Sequence, residues 1–98
     1  MSTYVMFTKL TEEGRKRKRT GESSKEINKE PNKRVEELGV KILAQYALLG
    51  PYDFVNILEA PSKEVIMRVA MEINSMGMVT TLTMAAIPIS DLRNALKK

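Results

Sequence analysis

Ninety-eight residues with 43% hydrophobic and 29% charged side chains have the size and composition of one globular domain with a single core, predicted to span residues 1–98. Cysteine and histidine are both absent, which excludes disulfide staples and thiolate metal ligands and removes the two commonest choices for nucleophilic and acid–base catalysis near neutral pH. The net charge of +4 is local: of 16 Lys and Arg, five are consecutive (Arg15, Lys16, Arg17, Lys18, Arg19), and the other 11 face 12 Asp and Glu, a net of −1.

The N-terminal Met1 to Phe7 lacks the basic start and long apolar stretch of a signal peptide. No stretch approaches the roughly 18 apolar residues that a bilayer span needs, so a cytoplasmic location with no membrane contact is expected. Thr3 to Lys9 mixes β-branched, aromatic and apolar residues and predicts a first strand. Thr11 with Glu12 and Glu13 offers a cap for a helical turn, but the basic run between Gly14 and Gly21 has no apolar anchor and predicts irregular structure as far as Glu22. From Ser24, the positions Ile27, Pro31, Val35 and Leu38 share one helical face, and Gly39 stands where a left-handed C-cap belongs. Pro31 removes a hydrogen bond there, which predicts a kink or a fresh helical start.

Val40 to Leu49 and Phe54 to Glu59 read as two strands, joined through the turn Gly50-Pro51-Tyr52-Asp53 into a hairpin. Ser62 caps a helix whose Val65, Ile66, Val69, Ala70, Ile73 and Met76 fall on one face, and Gly77 closes it. Met67, Met71 and Met76 of this helix read as core filler. Met78 to Ile87 forms the last strand; Pro88 stops it, and Ser90 is expected to cap a short terminal helix.

The order βαββαβ plus a C-terminal helix is the split βαβ, ferredoxin-like pattern of the α+β class: a four-stranded antiparallel sheet with both main helices on one face. The other face of such a sheet is normally polar. Here the second strand is apolar on both sides, with Val40, Ile42, Ala44 and Tyr46 as one alternating set and Leu43 and Ala47 as the other. The last strand sets Leu82, Met84 and Ala86 against Val79, Ala85 and Ile87. A monomer with two helices covers one face only, so a homo-oligomer joined through the open sheet face is expected.

Tyr4-Val5, Leu10-Thr11-Glu12-Glu13-Gly14, Gly50-Pro51-Tyr52-Asp53, Glu59-Ala60-Pro61 and Gly77-Met78-Val79-Thr80-Thr81 together resemble the GYD family over almost the whole chain. That resemblance implies a ferredoxin-like fold of the dimeric α+β barrel type and no assigned activity. More loosely, Gly50, Tyr52, Asp53, Gly77, Val79, Thr81 and Thr83 are similar to the effector-binding modules of leucine-responsive-type regulators, without the helix-turn-helix domain. This second resemblance implies a small-molecule site at a subunit interface.

Two readings of Asp53 and Tyr52 compete. In the first, Gly50 and Pro51 shape a turn in which Asp53 accepts backbone hydrogen bonds and Tyr52 packs. In the second, Asp53 holds the ammonium or another polar group of a small ligand, with Tyr52 or Tyr46 closing the pocket. For Arg15 to Arg19 the commonest reading is a solvated loop, followed by an anion or nucleic-acid contact through counterion release and, last, by an inter-subunit salt link to the Glu-rich helix that starts at Ser24; no aromatic residue interleaves with the run to stack on bases. No catalytic constellation, phosphate loop, cofactor motif or metal-ligand spacing is present. The function that results is a non-enzymatic homo-oligomeric domain that binds a small molecule or a protein partner. The alternative is a cofactor-free enzyme acting on a small organic substrate within an α+β barrel.

Overall fold

The computed structural model describes residues 1–19 and 24–97 and, within them, the side chains outside 17–19 and 24–30. The strands are β1 (Ser2–Leu10), β2 (Lys41–Ala47), β3 (Phe54–Ala60) and β4 (Val79–Ala86); the helices are α1 (Glu12–Arg19), α2 (Ser24–Glu37), α3 (Lys63–Ser75) and α4 (Ile89–Leu96). All strand pairs are antiparallel, in the order β2-β3-β1-β4, so the expected ferredoxin-like α+β fold is present.

Alternation in β1 assigns the two faces. Tyr4, Met6, Thr8 and Leu10 are buried, and their neighbours are not. Tyr4 and Met6 join Leu58 and Ala60 of β3, Val35 of α2, Val40, and Ile66, Val69 and Ile73 of α3 in one core, so α2 and α3 cover the same face. The α3 stripe seats because Ile66, Val69 and Ile73 lie at i, i+3 and i+7, one side of the helix. The Ser62 hydroxyl caps α3 by accepting from the Val65 N–H at 3.2 Å. Gly39 and Gly77 close α2 and α3 with φ of 86° and 79°, left-handed values that need no Cβ.

Several local expectations are corrected. The segment after Thr11 is helical as far as Arg19, because three interactions hold its first turn: the Thr11 hydroxyl accepts from Gly14 N–H at 3.1 Å, donates to Gly77 C=O at 2.6 Å, and Thr11 N–H donates to Met78 C=O at 3.0 Å. Gly14 is therefore a buried contact point rather than the edge of a loop: a Cβ there would lie 2.3 Å from Met78 O. Gly21, the other glycine flanking the basic run, lies outside the described residues. Helix α2 runs through Pro31 without a fresh start. Ser90 sits inside the first turn of α4, whose N-cap is Pro88 without a side-chain cap bond.

The largest correction is in β2. Its pairing with β3 shifts between Ile42 and Ala44, which face Leu58 and Ile57, so Leu43 is the extra residue of a β-bulge. Uninterrupted alternation would put Val40, Ile42, Ala44 and Tyr46 on one side. The bulge divides that set: Val40 is in the core and Ile42 faces the helices with Leu58, whereas Ala44 and Tyr46 pair with Ile57 and Val55 on the open face. Gln45 and Ala47 turn toward the helix layer, where Gln45 hydrogen-bonds both Asn56 at 2.8 Å and Asn32 of α2 at 3.1 Å. These bonds are exposed, so water could replace them, and each adds only modestly to the shifted pairing. Leu48 and Leu49 lie beyond the strand.

Candidate functional site

Pairing across all four strands orders the open face into rows. Tyr46, Val55, Phe7 and Leu82 form one; Ala44, Ile57, Val5 and Met84 form the next. Both rows are apolar from edge to edge, apart from the Tyr46 hydroxyl. On the far side of the second row come Lys41, Glu59, Thr3 and Ala86, and Lys9 faces Thr80 beyond the first. The arrangement is an apolar band bordered by polar rows, the anatomy of an interface core with a rim. Val55, between Tyr46 and Phe7, is already buried, whereas Tyr46 is 61% exposed and Leu82 and Met84 are exposed at the β4 edge. The expected apolar set Leu82, Met84, Ala86 is thus the open-face set, and Val79 and Ala85 face the helices; Ile87 lies past the end of the strand.

Tyr52 and Asp53 sit at one end of the band. The Tyr52 ring lies against Phe7, centroids 5.3 Å apart and tilted by 47°, so it extends the first apolar row. The Asp53 carboxylate accepts from Leu10 N–H at 2.7 Å, Asp53 N–H donates to Thr8 C=O at 2.9 Å, and Leu48 N–H donates to Asp53 C=O at 2.7 Å. These bonds tie the loop containing Gly50 and Pro51 to the end of β1. Gly50 has φ 153°, in the range that side chains disfavour. Tyr46 belongs to the same row as Tyr52's partner Phe7, so the structure brings Tyr46 and Tyr52 to one band and places Asp53 behind it as a loop anchor.

The cations of the basic run lie on α1. Arg15 and Lys16 are exposed and Lys16 stands 4.0 Å from Glu12, one turn away, an exposed pair worth little. The side chains of Arg17, Lys18 and Arg19 lie outside the described set.

On the helical side, Arg34 of α2 grips Glu72 of α3 with a bidentate pair from one guanidinium edge, Nη2 to Oε1 at 2.9 Å and Nε to Oε2, while Arg68 donates to the same carboxylate at 3.2 Å. The hydrogen bond from Arg34 holds Glu72 below the usual carboxylate range, and the bond to Glu72 raises Arg34. Lys33, Glu37, Ser75 and Met76 complete a shallow groove there. Two methionines expected in the core are outside: Met67 is 64% and Met71 71% exposed, at i and i+4 on the outer side of α3. They stand one or two residues off the stripe of Ile66, Val69 and Ile73, which rotates them away from the sheet. Met76 is also exposed, and the methionine that fills the core is Met6. Helix α4 buries no residue at all. Sequence reasoning missed the Met67–Met71 ridge; its signal was the i, i+4 spacing beside a stripe already complete without it.

Among the described residues, no three Asp or Glu converge as a metal site, and no helix is long and apolar enough to cross a membrane.

Comparison with known proteins agrees with this architecture. The GYD domain family matches residues 4–96. A Thermus thermophilus protein named glutamine synthetase and cystathionine beta-lyase binding protein is 40% identical over 98 residues, covering 99% of this chain and 100% of that one. Among solved structures, FFRP-DM1 superposes with a TM-score of 0.61 at 19% identity, covering 89% of this chain and 100% of that one. MtbAldR gives 0.62 at 17%, covering 89% of this chain and 53% of that one. At such identities these two structures show the shared fold alone.

Proposed function

Because the chain belongs to the GYD domain family, we propose that it works as a non-enzymatic, homo-oligomeric protein-binding module that pairs through its open sheet face and docks on enzymes of amino-acid metabolism. The carrying observation is the uncovered band of two apolar rows that crosses all four strands. A surface of this kind on a small chain is built to be covered by protein. The class of partner comes from the name of the full-length Thermus relative, whose identity extends over both chains. With the sheet face used for self-pairing, the helical layer is left to a heterologous partner, and its exposed Met67 and Met71 are of the adaptable kind found on such surfaces.

A small-molecule site takes second place. Tyr46 and Tyr52 flank the same apolar row, so a ligand entering between paired sheets would meet both, but the Asp53 carboxylate is engaged by Leu10 N–H.

The test is light scattering of the purified chain combined with titration calorimetry against glutamine synthetase from the same organism. An oligomer at micromolar concentration and saturable binding are expected. A chain monomeric at high micromolar concentration would remove the sheet-face pairing, and absence of binding to that enzyme and to cystathionine β-lyase would remove the partner class.

A further inference from the structure

Strand β4 ends the sheet, with β1 on one side of it and α3 above it, and no strand among the described residues pairs with its outer edge. The two edges of the sheet differ in how they are protected. At the far edge, β2 carries Lys41, the Leu43 bulge and the Gln45 bond to Asn32 of α2. Strand β4 runs from Val79 to Ala86 without a charge, a proline or a break in its pairing with β1, the form of edge that takes up a further strand.

The bonds already made show which groups of β4 point outward. Thr11 N–H donates to Met78 C=O, and bonded positions alternate along an antiparallel pair, so Thr80, Leu82, Met84 and Ala86 turn their N–H and C=O groups to β1. Val79, Thr81, Thr83 and Ala85 turn theirs away. Asn74 of α3 agrees with this assignment: its Oδ1 accepts from Thr81 N–H at 3.1 Å, which a side chain reaches only where β1 does not. Asn74 thus closes the edge at Thr81, and among the described residues nothing bonds the outward groups of Thr83 and Ala85.

A strand edge is satisfied by another strand, and a second copy of β4 fits this one in a single register. Antiparallel pairing about a two-fold axis through Met84, normal to the sheet, sets Thr83 opposite Ala85 of the second copy and Ala85 opposite its Thr83, so every free position is used. An axis through Thr83 would call on the Thr81 N–H that Asn74 holds, and one through Ala85 would call on Ile87, past the end of the strand. With the axis at Met84, the apolar row of Ala44, Ile57, Val5 and Met84 continues into its own image, and the exposed Met84 side chains of the two copies lie side by side. A strand donated by another protein would only move the bare edge outward, whereas two copies of β4 leave none on that side.

We propose that two copies of this chain join along β4 into one continuous sheet, Thr83 N–H of each donating to Ala85 C=O of the other and Ala85 N–H to Thr83 C=O. The seam uses neither the open face nor the outer side of α3, so it is independent of the pairing and docking proposed above.

Because the chain has no cysteine, the seam can be read with introduced thiols. Residues at a bonded antiparallel pair stand about 5.5 Å apart between Cα atoms, within the span of a disulfide. Copies carrying Thr83→Cys, mixed with copies carrying Ala85→Cys at high micromolar concentration, should give the mixed disulfide under mild oxidation. Both positions lie on the helical side of the sheet, so stacking of the open faces holds them apart and does not give this product. In the wild-type chain, the Thr83 and Ala85 amides should exchange their hydrogens at least tenfold more slowly at high micromolar concentration than in dilute solution. An oligomer that gives no mixed disulfide, or in which these two amides keep their dilute exchange rate, overturns the seam and leaves sheet-face pairing standing. Protection of the two amides only after a partner enzyme is added overturns self-pairing in favour of a donated strand. A chain that stays monomeric overturns both the seam and the sheet-face pairing.

Discussion

Helices α3 and α4 carry the same spacing and meet opposite fates. Ile66, Val69 and Ile73 of α3 repeat at i, i+3 and i+7, and so do Ile89, Leu92 and Leu96 of α4. In α3 the stripe is buried to the point that Val69 is 1% exposed; in α4 it meets solvent. Helix α3 starts on a side-chain cap and α4 does not. An apolar stripe therefore reports that a helix face is made to be covered, and is silent on which chain does the covering.

The strongest way to break this comparison is to truncate one residue in each stripe. Ile66→Ala should cost about 3 kcal/mol of folding stability, the usual range for emptying a core site, while Leu92→Ala should stay within about 0.5 kcal/mol in a chain kept dilute enough to be monomeric. Equal losses in urea unfolding would show that α4 is seated in its own chain. Gly14→Ala comes next. Its methyl group would meet the backbone oxygen of Met78, and overpacking of that kind costs about 2 kcal/mol, so a change near zero in thermal unfolding would mean that α1 is not fixed to the start of β4. Ser62→Ala removes the cap of α3 at a cost of about 1 kcal/mol, which a denaturant titration resolves.

The smallest effect is electrostatic. Glu72 is held below the usual carboxylate range in the folded chain, so its bonds to Arg34 and Arg68 contribute fully above that range and are lost as pH falls through the lowered value. The stability difference between wild type and Glu72→Gln should be constant near neutral pH and shrink in acid. A difference independent of pH would mean that the α2–α3 tie is not the charged pair.

The element order was legible because most elements announce themselves by period and punctuation: Gly39 and Gly77 at helix ends, Ser62 at a helix start, the turn before Phe54. The apolar open face was also legible, since β2 and β4 lack the alternation of a half-wet sheet. Gly14 was not, because its constraint comes from Met78, far along the chain, and no local pattern records that approach. The division of β2 was equally hidden. A bulge adds one residue to a strand without a change in composition, and β2 reads as apolar in either pairing. Asp53 was legible as a turn or ligand residue, but its hydrogen bonds to Thr8 and Leu10 were not, because the end of β1 is distant in sequence.

The Leu43 bulge carries a consequence for how this chain tolerates change. Of the residues beyond it, Ala44 and Tyr46 are delivered outward and Gln45 inward by their pairing with β3. Deleting Leu43 would make the pairing regular and keep Ala44 and Tyr46 outward and Gln45 inward, because Ile42 and Ala44 already pair with the neighbouring residues Leu58 and Ile57. Keeping Leu43 but pairing it in turn with β3 would do the opposite, sending Tyr46 toward α2 and the Gln45 amide to the open band. The surface this strand presents therefore survives the loss of one letter and fails on a change of pairing that alters no letter at all.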